Sequence, residues 1–83
     1  LGYTYADRGI KLDEAEDYVK RALAIQPKSG HILDSLGWVY FQKGEYAKAI
    51  VELEKALEYL PDDPVVMEHL GDAYLMKSSK DKA

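Results

Sequence analysis

Leu33, Leu36, Val39 and Tyr40 recur at three- and four-residue steps, the spacing of one face of an α-helix. Ser29 precedes this stripe, and its hydroxyl can accept from an orphan amide of the first turn. Gly44 follows Lys43 and suits the left-handed residue that commonly stops a helix. A second apolar stripe, Ala49, Ile50, Leu53, Ala56 and Leu57, predicts a helix over about 46–59. Pro61 ends it, because proline has no amide to donate and disfavours helix in the residue before it. With so short a connection, the two helices must run antiparallel.

The same design recurs on both sides. Downstream, Asp63 is placed to cap and Pro64 to open a helix over about 64–76, since the first turn does not need the missing amide. Ser78 stands where the middle unit has Gly44, which predicts a less well defined turn. Upstream, Gly9 is expected to act as the stop, with one extra residue in the turn that follows. The dipeptide Leu-Gly opens at Leu1, Leu36 and Leu70, each time followed by a tyrosine, at Tyr5, Tyr40 and Tyr74. The step from Gly37 to Gly71 is one shorter than the step from Gly2 to Gly37, as the extra turn residue requires. Arg21-Ala22-Leu23 with Pro27 is mirrored by Lys55-Ala56-Leu57 with Pro61, at the same interval that separates Gly37 from Gly71. A fixed period of about 34 residues marks stacked supersecondary units. The expected division is a partial repeat over 1–29, a full repeat over 30–63 and a partial repeat over 64–83.

Composition narrows the chemistry. A chain of 83 residues makes at most one small domain. The lack of cysteine excludes disulfides, thiolate metal sites and cysteine nucleophiles. Net charge is −4 and the basic residues alternate with acids, as in Lys48, Glu52 and Lys55. Such a surface is a solvated, internally paired helix face, unlike the one-sided basic stripe of a nucleic-acid binder. No apolar run reaches the roughly 18 residues of a membrane span, so direct membrane insertion is not expected. Leu1 falls in the middle of what reads as a helix, which predicts a segment excised from a longer protein.

The units closely resemble the tetratricopeptide repeat (TPR) family. Leu33, Leu36, Gly37, Tyr40, Ala49, Leu53, Ala56 and Pro61 carry the resemblance in the middle unit. Met67, Leu70, Gly71, Tyr74 and Ala83 carry it in the third, and Leu1, Gly2, Tyr5, Ala15, Val19, Ala22 and Pro27 in the first. Leu33 and Met67 replace the usual tryptophan, and Leu53 and Val19 the usual phenylalanine, with bulk retained. The resemblance implies an all-α fold, antiparallel helix-turn-helix repeats stacked as a right-handed α-solenoid. Gly37 and Gly71, with the alanines, are then expected to let helix axes approach closely. The first unit, with Leu12-Asp13-Glu14-Ala15 after Gly9, is similar to repeats of bacterial proteins, several of them cell-envelope scaffolds and assembly factors. It leaves the compartment open between bacterial cytoplasm and envelope.

The resemblance also implies where a ligand would lie, since the first helix of each such repeat lines a concave groove. Carried over residue by residue, the groove comprises Tyr3, Ala6 and Asp7, then His31, Asp34, Ser35, Trp38, Phe41 and Gln42, then Val65, Glu68, His69, Asp72, Leu75 and Met76. Some family members hold a peptide carboxylate with a clamp of lysine, arginine and asparagine. Asp34, Glu68 and Asp72 would repel one here, so the expected partner is another protein or peptide with an apolar or mildly basic segment. Trp38 and Phe41 either anchor that ligand or pack against the adjacent repeat. His31 with Asp34 and His69 with Asp72 stand three apart, yet nothing makes three or four metal ligands converge. No metal or other cofactor is expected. With no phosphate loop and no serine elbow, catalysis is not expected either. Asp13, Glu14, Glu16 and Asp17 read as carboxylates opposing a helix dipole. The other functional expectation is structural: homo-oligomerisation through unfinished ends, by stacking or helix swapping.

Overall fold

The computed structural model describes the backbone of residues 5–82 and the side chains of residues 11–82. Four helices and no strands occur among them: α1 (Tyr5–Ile25), α2 (Gly30–Gln42), α3 (Tyr46–Tyr59) and α4 (Pro64–Lys82). α3 packs against both α2 and α4, α1 packs against α2, and α2 meets α4 along one edge.

The local chemistry at the joints explains the boundaries. Ser29 Oγ accepts from the Ile32 amide at 3.3 Å and opens α2. Asp63 Oδ1 accepts from the amides of Val65 at 2.9 Å and Val66 at 3.3 Å and opens α4, with Pro64 as its first residue. α2 closes with paired bonds, Gly44 N–H to the Phe41 carbonyl and Glu45 N–H to the Tyr40 carbonyl, with Gly44 at φ +80°. This is the left-handed glycine stop with two crossing hydrogen bonds. α3 ends at Tyr59, two residues before Pro61.

The core lies between α2, α3 and α4. Leu33, Leu36 and Tyr40 of α2 meet Ala49, Ile50, Leu53 and Ala56 of α3, and Val66 and Ala73 of α4 close the other side. Gly37 sits at the closest approach. A Cβ there would stand 2.6 Å from Leu53 Cγ and 3.3 Å from the Ala49 carbonyl oxygen. Near the other end of the pair, Gly30 faces Leu60 and Tyr59, so numbering falls along α2 as it rises along α3.

Three expectations need correction. Gly9 does not stop a helix, and α1 runs through it. Glycine permits a left-handed turn without compelling one, and its cost inside a helix is about 1 kcal/mol against alanine. The pairs Glu16–Lys20 and Asp17–Arg21 stabilise the same helix further along. Nor does a turn form at Ser78. α4 continues to Lys82, carried by the Lys77–Asp81 pair at 3.0 Å and by Lys80 and Lys82 in its last turn. A serine pays a steric penalty in the left-handed conformation, so the helical alternative wins there. Finally, Gly71 does not mark a close approach, because a Cβ built on it meets no atom within 4 Å.

Candidate functional site

α2 and α4 meet along one edge. Asp34 of α2 accepts a hydrogen bond from His69 Nδ1 of α4 at 2.8 Å. The His69 ring in turn stacks on Trp38, with centroids 4.1 Å apart and planes 23° from parallel. Trp38 continues onto Phe41 at 4.6 Å and 6°. Phe41 meets the Tyr46 ring of α3 edge-on at 5.4 Å. Four rings therefore form a continuous line from α4, over α2, to the start of α3. Offset stacks of this kind contribute about 0.5–1.5 kcal/mol each beyond their buried area.

Trp38 thus packs between repeats, Phe41 packs on Trp38 and Tyr46 within its own repeat, and both keep part of their surface open, being half-buried. Their neighbours on the same strip differ in character. His31, Gln42 and Ser35 are exposed on α2, and the Ser35 hydroxyl donates back to the His31 carbonyl. On α4, Val65, Glu68, Leu75 and Met76 are exposed and Asp72 is half-buried. Tyr3 lies outside the described residues. Ala6 and Asp7 have backbone within α1, in line with the rest of that helix, and their side chains lie outside the described set.

The sequence suggests that Asp34 faces His31, and that Asp72 faces His69, each along one helix. The structure instead pairs Asp34 with His69 across two repeats, and the signal for this is present in the chain. Residues one repeat apart lie side by side on neighbouring helices, and Asp34 and His69 are separated by one period plus one residue. Among the described residues no group of three His, Asp or Glu side chains gathers as metal ligands would.

A second polar cluster ties α1 to the end of α2. Lys43 Nζ lies 2.8 Å from Asp13 and 2.7 Å from Glu16, and Glu16 also holds Lys20 at 2.6 Å. Hydrogen bonds from Lys20 and then Lys43 lower the Glu16 carboxyl to about 2. The bonds that Lys43 donates to Asp13 and then to Glu16 raise its ammonium above the usual range. Lys20 and Lys48 flank the Tyr40 ring at 5.9 and 5.7 Å. No helix among the described residues is long and apolar enough to cross a membrane.

Helix pairs nested on a glycine and repeated at a fixed period, with one helix of each pair on a common edge, define a helical repeat scaffold. The family model described as TPR repeat matches residues 37–78. A TPR repeat-containing protein of Pseudomonas aeruginosa is 40% identical over 72 residues, 87% of this chain. The chain belongs to the TPR family. It spans 12% of the length of that relative. TPR repeats generally mediate protein–protein interaction, typically as non-catalytic scaffolds that bind other proteins or peptides.

Proposed function

We propose that this chain is a non-catalytic recognition module that binds a protein or peptide segment along the α2–α4 edge. The observation that carries the reading is the half-open aromatic line of Trp38, Phe41 and His69, with Leu75 and Met76 exposed on the same helix as His69. Partly exposed aromatics held rigidly by their neighbours make strong anchors, because little side-chain entropy remains to be lost. Glu68 and Asp72 border the strip, and Asp34 is already committed to His69. An apolar segment with a basic flank therefore complements this edge better than a carboxylate-terminated tail. His31, Gln42 and Val65 would lie at its margins, and Tyr3 and Asp7 belong to the same proposed set. The proposed repeat division remains 1–29, 30–63 and 64–83.

The test is a titration of the chain with synthetic apolar-basic and apolar-acidic peptides, read by calorimetry. Trp38→Ala and Phe41→Ala should each weaken the apolar-basic peptide by about tenfold or more while helicity is retained. Equal affinity in both variants would refute the groove assignment. A second reading, association between copies of the chain, is favoured by exposed apolar residues at both ends of the stack, Tyr18 and Ile25 on α1 and Met67 and Tyr74 on α4.

A further inference from the structure

The hydrogen bond across the α2–α4 edge decides which nitrogen of His69 carries the proton. An ionised Asp34 carboxylate can only accept, so the neutral imidazole must hold its proton on Nδ1, 2.8 Å away. Nε2 is then a bare acceptor. Flipping the ring would break that bond, so tautomer and orientation are fixed together.

Nε2 has no hydrogen-bond partner among the described residues. It also reaches solvent, since Glu45 Oε2 is the one buried side-chain nitrogen or oxygen without a partner among them. The Nε1–H of Trp38, on the ring stacked with His69 at 4.1 Å, is in the same condition. The position stays open when a further helix lies alongside. Ser35, one period before His69, is exposed on α2 although α4 packs against that helix.

An unused acceptor and an unused donor on two stacked rings match the two halves of a peptide group, its N–H and its C=O. Lysine and arginine side chains offer donors alone. Between its first and last turns a helical segment uses both halves internally, so a segment with them free lies extended. We infer that His69 is a specificity-determining residue of the binding edge, its Nε2 accepting a main-chain N–H of an extended partner segment. Trp38 Nε1 is left to donate to a main-chain carbonyl of the same segment. This rests on the recognition role proposed above and adds the chemistry by which the segment is held.

Two measurements test it. Nitrogen NMR of the histidine rings in the free chain should show neutral His69 with a protonated Nδ1 and a bare Nε2. Asp34→Ala should release it to the mixture of tautomers shown by His31, which is exposed on α2. A proton on Nε2 in the parent chain would overturn the inference before any ligand is added. The second measurement repeats the titration with the apolar-basic peptide, each main-chain N–H being replaced in turn by an ester oxygen. One ester should weaken binding to the parent chain by about tenfold and leave binding to His69→Phe unchanged, because phenylalanine keeps a ring on Trp38 but accepts nothing. Where His69→Phe binds too weakly to titrate, the parent chain's Nε2 resonance replaces it, and should move on saturation with the all-amide peptide but not with that ester. Binding that Trp38→Ala abolishes but that shows no ester coupled to His69, or that follows a side-chain donor of the peptide, would overturn the inference and leave the binding edge standing. Failure of every peptide to bind the parent chain would overturn the edge and the acceptor role together.

Discussion

Gly37 and Gly71 hold the same place in successive units, and their surroundings give opposite expectations for one substitution. At Gly37 a methyl group would be forced against Leu53 Cγ at 2.6 Å with the Ala49 carbonyl oxygen behind it. Neither atom is the free end of a flexible side chain, so Gly37→Ala should destabilise the fold by about 1–3 kcal/mol. Gly71 lies inside α4 with open space around it, and alanine there removes only the entropic penalty of glycine in a helix. Gly71→Ala should therefore stabilise by up to about 1 kcal/mol. Urea denaturation of the two variants checks both signs together. The repeat pattern in the sequence does not separate these glycines. It records which residue recurs, whereas the difference lies in whether a second helix stands opposite.

At the scale of the element, the middle helix pair is legible almost residue by residue. Ser29 and Gly44 set the start and stop of α2, and Asp63 with Pro64 sets the start of α4, each through a bond or angle of its own chemistry. Gly44→Ala should cost about 1–2 kcal/mol although its Cβ would meet nothing, because φ +80° strains any L side chain. Gly9 and Ser78 mislead because a turn signal there competes with helix continuation, which the Lys77–Asp81 pair favours across Ser78. The Lys43 cluster is equally hidden, since it joins side chains of α1 to the far end of α2. It makes a pH prediction. A Glu16 carboxyl at about 2 when folded and 4.5 when unfolded stabilises the fold above about pH 4.5. That contribution fades as pH falls and is lost by about pH 2. Solvent screening holds it to about 1 kcal/mol at most. Thermal melts should show Glu16→Gln less stable than the parent chain near pH 7 and equal to it near pH 2.

For the whole molecule, the angle between successive repeats decides what surface the scaffold presents, and the α2–α4 edge sets that angle. His69 reaches across this edge with both its ring and its Nδ1, stacking on Trp38 and donating to Asp34. The aromatic positions are legible in the sequence as one strip, but the way they close on one another depends on how α4 lies along α2. Trp38 is the one tryptophan in the chain, so its emission reports this contact without interference. His69→Ala should uncover one face of the indole, shift the emission to longer wavelength and lower stability by about 1 kcal/mol. His69→Phe should restore the emission by replacing the stack, while the Asp34 hydrogen bond stays lost. Asp34→Ala keeps the ring but frees it to rotate, so its shift should fall between those of the parent and His69→Ala. If His69→Ala left the emission where it was, the two repeats would not be closed through this stack in solution. The edge would then present separate aromatic side chains in place of a preformed strip, and the pre-organisation that recommends it as a binding surface would be gone.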